Sequence, residues 1–495
     1  MDEEKTRLLG QCLAVGFDGF HIPEEYRALV RRYKIGNVLL FRRNVESFAQ
    51  LKTLCAELNA LILQETGCPP FILAGEEGGS VSRLGHIAGA TPCPMAIGAT
   101  GEKENAYLIG RWIGQSLRAV GINVDTAPVL DCFSNPDNTV IGTRSFGETP
   151  QKAADFGLAF MKGLQSAGVM ACGKHFPGHG DTAVDSHLAL PLIDKPEEAL
   201  WQTELFPFVQ AAENGIESFM TAHVVVPALD PSRLPATLSG PIMTGLLRQK
   251  MGYQGILFSD GMEMKAVMDL YGIEEATCRA LAAGCDIALI CHSASQAKST
   301  MEYLDRAVSE GRLSMRDVRD RCRRIALWKQ KLLPPQGAQA DFSSPQRQRD
   351  CLRVMVQSLR LLHAPKGKPL PPLGKRTLFL GVPARPASIA SDGAPLNGPH
   401  WLAQALGGVD GGLTGEGSAW DEIDSAVGLL SPHPGLPAVQ QALECLAQRG
   451  VPTAAVSLYT VKCLDNLPES VWKICAWQYD TLALQALLSG WNKLQ

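Results

Sequence analysis

Short apolar runs alternate with longer amphipathic segments over the first 335 residues. The runs lie at 11–17, 37–41, 71–74, 122–128, 170–175, 218–223, 255–260 and 286–292. Between them, segments such as 102–120, 150–167, 198–214 and 264–283 carry the spacing of amphipathic helices. Strands that read as unbroken apolar runs and are separated by helices fit a parallel sheet covered on both faces. Eight such β/α units within 1–335 predict a (β/α)8 TIM-type barrel, with a doubly wound open sheet as the alternative.

The polar residues that follow the runs favour the barrel. Arg42 and Arg43 follow the second run, and Glu76 and Glu77 follow the third. Later runs end at Lys174-His175, His223, Asp260 and His292. In a barrel these ends converge on one mouth, where active sites sit.

Beyond 335 the pattern changes. Prolines and glycines interrupt 331–340, a helix is predicted over 347–362, and 366–375 is rich in proline, glycine and lysine, so 336–375 reads as helix and linker. A smaller C-terminal α/β domain is expected over 376–495. Its strands are predicted at 376–382, 425–430, 453–459 and 471–477, and its helices at 436–449 and 481–491, with 384–417 as loop. No catalytic cluster stands out in this half.

Composition narrows the function. With 45% apolar and 19% charged residues the chain is an ordinary globular protein. A net charge of −4 argues against nucleic-acid or anionic-membrane partners. The start, Met1-Asp-Glu-Glu-Lys, lacks the basic and apolar regions of a signal peptide, and no apolar run is long enough to span a bilayer. Fourteen cysteines without a C-x-x-C pair read as reduced thiols, so a cytoplasmic location is expected.

The chemistry concentrates in G-K-H-F-P-G-H-G-D-T-A-V-D-S-H, residues 173–187. Pro177, Gly178 and Gly180 rule out a regular element there, so ionisable groups hang from a loop after a strand. A metal site could use His175, His179, Asp181 and His187, but the spacing of H-E-x-x-H is missing and no metal is expected. His179 and Asp181 could instead cap the loop's own backbone. Asp185 and His187 are two apart, so an extended segment points both the same way. A carboxylate beside an imidazole fixes its tautomer and raises its pKa, which suits it to protonate a leaving group. A nucleophile should accompany such a dyad, and Asp260 in F-S-D-G-M-E-M-K stands at a strand end, where a plain helix cap is the alternative. Arg144 and Arg83 offer rigid forks for a substrate, or for surface ion pairs.

At these residues the chain resembles the family 3 glycoside hydrolases, in particular the bacterial β-N-acetylglucosaminidase (β-N-acetylhexosaminidase) branch. The motifs are E-G-G-x-V-x-R-L at 77–84, A-P-V-L-D through R-S-F-G at 127–147, K-H-F-P-G-H-G-D-T-x-x-D-S-H at 174–187, M-T-A-H-V at 220–224 with P-A-T-L-S at 235–239, and F-S-D-x-x-E-M-K at 258–265. The resemblance covers residues 8–335 and, more weakly, the C-terminal domain. It implies a barrel and a retaining exo-glycosidase without cofactor. Its small carbohydrate substrate would carry terminal non-reducing β-linked N-acetylglucosamine, from cell-wall or chitin fragments. It further implies Asp260 as nucleophile, His187 with Asp185 as acid/base, and Lys174, His175, Arg144 and Arg83 as sugar-binding residues. One departure stands out. The family reads D-Q-E-G-G, its aspartate binding a distal hydroxyl of the sugar, whereas here Gly75 takes the aspartate's place and Glu76 is the candidate substitute. Ser80 and Gly261 are further departures. A phosphorylase or transglycosidase using the same covalent step, and a non-catalytic sugar-binding protein, are the alternatives. The sequence leaves the oligomeric state open.

Overall fold

A strand packed on both faces needs apolar side chains at successive positions, because they alternate between the barrel interior and the helix layer. The computed structural model, which describes residues 2–182, 190–332, 344–381, 396–415, 420 and 422–494, follows this rule. The eight strands are β1 (Leu13–Val15), β2 (Asn37–Leu40), β3 (Phe71–Ala74), β4 (Val124–Asp125), β5 (Met170–Phe176), β6 (Ser218–Thr221), β7 (Ile256–Gly261) and β8 (Ile287–Ile290). They pair in parallel and in order, and β1 closes on β8. The open-sheet alternative is thereby excluded. Ala14, Leu39, Phe71, Leu73, Val124, Met170, Ile256, Phe258, Ile287 and Leu289 fill the interior. Their neighbours Leu13, Val38, Ile72, Leu257 and Ala288 pack outward against the helices.

Several elements differ from expectation for local reasons. The fourth strand, expected over 122–128, is reduced to two residues with one further bridge from Val129 to Lys174, because Pro128 has no N–H for the ladder. The helix expected over 198–214 is two helices, Glu197–Gln202 and Phe206–Glu213, the second with a proline in its first turn. The helix expected over 264–283 is also split, at Gly272, whose φ of +72° ends one helix and starts the next.

The second sheet holds β9 (Arg360–His363), β10 (Thr377–Gly381), β11 (Val409–Asp410), β12 (Ser425–Leu430), β13 (Thr453–Ser457) and β14 (Trp472–Cys475). Their order is β11-β10-β12-β13-β14-β9, parallel except for β9, which runs antiparallel to β14. The helix expected over 347–362 therefore ends at Ser358, and its last residues become an edge strand. Cross-strand pairing has overridden a helical pattern there. β11 lies inside the segment expected to be loop. All fourteen cysteines are free, and only Cys68 and Cys445 are not fully buried. Among the described residues no helix is long and apolar enough to cross a membrane.

Candidate active site

The carboxyl ends of the barrel strands surround a cavity of ≈ 670 Å³. Two strands carry register shifts there, β5 between Gly173 and Phe176 and β7 against β8 between Phe258 and Gly261. Such irregularities re-aim side chains, and they bring Lys174, His175 and Asp260 onto the cavity wall. Arg83 and Arg144 arrive from the loops after β3 and β4. Five of the predicted site residues thus converge on one cavity. Asp185 and His187 lie outside the described residues.

Glu76 corrects the sequence reading. Its carboxylate turns into its own loop, where it accepts hydrogen bonds from the Arg83 and Leu84 amides (2.7 and 2.9 Å) and from the Ser82 hydroxyl. It braces the loop and does not line the cavity. The next residue, Glu77, is the one that faces inward. Arg144 donates Nε and Nη2 to its two oxygens at 2.7 and 2.8 Å, and Lys174 Nζ lies 2.5 Å from Oε1. Burial alone would raise the Glu77 pKa, but the charges and hydrogen bonds of Arg144 and Lys174 outweigh it and hold the carboxyl far below the usual range.

His175 is fixed from both sides. Its Nδ1 lies 2.7 Å from Asp131 Oδ2, and its Nε2 lies 3.4 Å from Arg144 Nη2, which can only donate. The Asp131 contact turns the Nδ1 edge of the ring toward that carboxylate. Asp131 also accepts from the amides of His175 and His179, so one buried carboxylate holds the start of the histidine loop. Burial opposes its charge, yet the neighbouring His175 keeps its pKa low. Burial, and then His175, push His179 down to about 4, so it is a neutral structural group whose Nδ1 meets the Thr182 hydroxyl at 2.8 Å. Asp181 is an outer group, paired with Lys195 at 3.1 Å.

Asp260 is the next-to-last residue of β7, its Oδ1 accepting from the Gly261 amide at 2.8 Å. Burial works against its charge, but His175, His223, the Gly261 amide and Lys174 together lower its pKa below the ordinary value. It is a carboxylate at neutral pH, facing a cavity lined by cations. His223, at the end of the sixth run, does not line the cavity. Its Nε2 meets the Gly261 carbonyl at 3.0 Å, just behind Asp260. Sequence reasoning did not single out Glu77 or Asp131, though both sit inside the quoted motifs.

The Gly75 corner is crowded. A Cβ there would lie 2.9 Å from Thr126 Oγ1 and 3.5 Å from Arg83 Nη2, so the Thr126 hydroxyl fills space that an aspartate would need. Gly75→Asp alone is expected to lower kcat/KM roughly tenfold, because the added carboxyl pushes Thr126 and Arg83 from their places on the cavity wall. Adding Thr126→Ala should recover most of that loss. A Gly75→Asp single variant faster than the native protein would show that the corner has room for the carboxylate.

A parallel barrel whose mouth gathers a half-buried, ionised aspartate with lysine, histidine and arginine side chains has its polar cluster where barrel proteins keep their active sites. The sequence profile of the glycosyl hydrolase family 3 N-terminal domain matches residues 3–327, and the chain belongs to that family. Beta-hexosaminidase A of Pseudoalteromonas piscicida is 38% identical over 335 residues, covering 63% of this chain and 56% of that protein, so this chain spans little more than half of that relative. The beta-hexosaminidase of Thioalkalivibrio sulfidiphilus is 36% identical over 295 residues, 58% of this chain and 82% of its own. Among solved structures, a family 3 beta-N-acetylglucosaminidase from Paenibacillus sp. aligns with a TM-score of 0.90 at 31% identity, over 100% of this chain and 97% of that one.

Proposed function

We propose that this protein is a retaining exo-β-N-acetylhexosaminidase that removes terminal β-linked N-acetylglucosamine from cell-wall or chitin-type fragments. The observation that carries the reading is the ionised Asp260 facing a cavity shared with Lys174, His175, Arg144 and Arg83. The names of the relatives point the same way. In this account Asp260 attacks the anomeric carbon as the glycosidic C–O bond breaks and the aglycone leaves as an alcohol, and water then cleaves the glycosyl ester to release the sugar with retention. A carboxylate nucleophile must be charged at the start, which the cations around Asp260 ensure. Lys174, Arg144 and Arg83 donate to sugar hydroxyls, and the fixing of Lys174 and Arg144 through Glu77 means that these two reorganise little on binding.

His187, oriented by Asp185, is assigned the proton transfers. If it protonates the leaving oxygen, its removal should matter least where the leaving group needs no proton. His187→Ala is therefore expected to cost far more kcat/KM on a natural disaccharide than on a nitrophenyl glycoside. Equal losses on both would remove the acid role. The reading as a whole is tested by an aryl-glycoside panel covering N-acetylglucosaminide, N-acetylgalactosaminide, glucoside and xyloside, with products analysed in the presence and absence of phosphate. Fastest turnover of the N-acetylglucosaminide, with free sugar as product in both buffers, is expected. A sugar phosphate product would replace hydrolysis with phosphorolysis.

A further inference from the structure

In an open α/β sheet the carboxyl ends of the strands form the crevice where ligands usually bind. In the second sheet, the carboxyl ends of β13 and β14 are occupied instead by the barrel's own active-site loops. After β13, Tyr459 donates its hydroxyl to the Thr139 carbonyl at 3.3 Å, and Lys462 pairs with Asp137. The Tyr459 ring lies against Gly142, where any Cβ would collide with its hydroxyl. Gly142 opens the helical turn Gly142–Arg144, so this contact is two residues from the guanidinium that grips Glu77.

After β14, Gln478 holds the other loop. Its Oε1 accepts from the Cys93 amide at 2.7 Å, and its Nε2 donates to the Thr91 carbonyl at 3.2 Å. The same Thr91 carbonyl accepts from Gly79 at 3.0 Å. A Cβ at Gly78 or Gly79 would lie 2.5 Å from Pro92 or Cys93, so the two segments are in direct contact immediately after Glu77.

We infer that Tyr459 and Gln478 are positioning residues, through which the second domain holds the two loops that carry Glu77 and Arg144 in register with each other. Glu77 and Arg144 come from different loops, and their ion pair forms only if both loops are correctly placed. The second domain meets the Arg144 loop through Tyr459 and Lys462, and the segment behind Glu77 through Gln478 and the Trp477 carbonyl. Removing either contact should loosen its own loop and weaken ligand binding, while leaving Asp260 on its strand.

The test uses the full chain with Tyr459→Ala, Gln478→Ala and the conservative Tyr459→Phe, which keeps the ring against Gly142. Hydrogen exchange is followed in peptides spanning 131–149 and 77–93 and in the barrel strands. KM and kcat are measured on an aryl N-acetyl-β-glucosaminide, an arm that rests on the hexosaminidase reading. Tyr459→Ala should speed exchange in 131–149, and Gln478→Ala in 77–93, with the strands unchanged, as for local opening. KM should rise about tenfold with kcat within about threefold of native, and Tyr459→Phe should restore KM. Native exchange in both loops, or kcat falling in step with a loss of folded protein and KM unchanged, would overturn the inference. If the native protein turns over no N-acetylglucosaminide, the hexosaminidase reading fails, and the exchange measurements still decide the role of Tyr459 and Gln478.

Discussion

Asp260→Ala is expected to reduce turnover of an aryl N-acetyl-β-glucosaminide by roughly 10⁴-fold or more, the scale at which loss of one member disables a nucleophilic site. The side chain sits at the cavity wall and makes a single described hydrogen bond, to the adjacent Gly261 amide. Its charge is favoured by His175, His223 and Lys174, and the side chain is half-buried, so its removal takes away a carboxylate and little packing. Thermal unfolding of the variant should therefore stay close to native, and its affinity for product should persist. Residual activity within tenfold of native would show that Asp260 is not the attacking group.

Glu77→Ala should produce the largest loss of stability. Glu77 is 1% exposed and is shared by Arg144 and Lys174. Deleting it strands two buried cations, and breaking a buried pair in this way costs about 3–5 kcal/mol. Glu77→Gln keeps the shape and isolates the charge. The folded-state pKa of Glu77 is depressed below the unfolded value of about 4.3, so the group stabilises the fold fully above that pH and progressively less in acid. The stability gap between native and Glu77→Gln, measured by denaturant titration, should be widest near neutrality and narrow below about pH 4. A gap that stays constant into acid would mean that charge is not what Glu77 contributes.

The barrel was legible in the sequence because strands covered on both faces must be apolar at every position, and runs such as 71–74 and 286–292 have no other use for that pattern. Asp260, Lys174 and His175 were legible because they stand where those runs stop. The second sheet was harder to read. Residues 360–363 carry a helical pattern, and only pairing with β14 turns them into a strand. The choice between Glu76 and Glu77 was not legible at all. Both acids follow the same strand, and the positive φ angles of Gly78 (89°) and Gly79 (60°) set a turn with no periodicity to show which carboxylate faces inward. Asp131 escaped notice for a related reason. It follows Pro128 in irregular backbone, and its role appears only once the His175 ring and the His175 and His179 amides are seen to converge on it.

Asp260 is proposed to form a covalent bond to the sugar. This is tested most directly by incubating the native protein with a slow, fluorine-substituted N-acetylglucosaminyl fluoride, quenching in acid and locating the adduct by peptide mass spectrometry. The account predicts one glycosyl unit on the peptide that contains Asp260, with fragmentation placing it on that residue. Inactivation with the adduct on Glu263, another carboxylate of the same cavity, or with no adduct on any carboxylate, would contradict it.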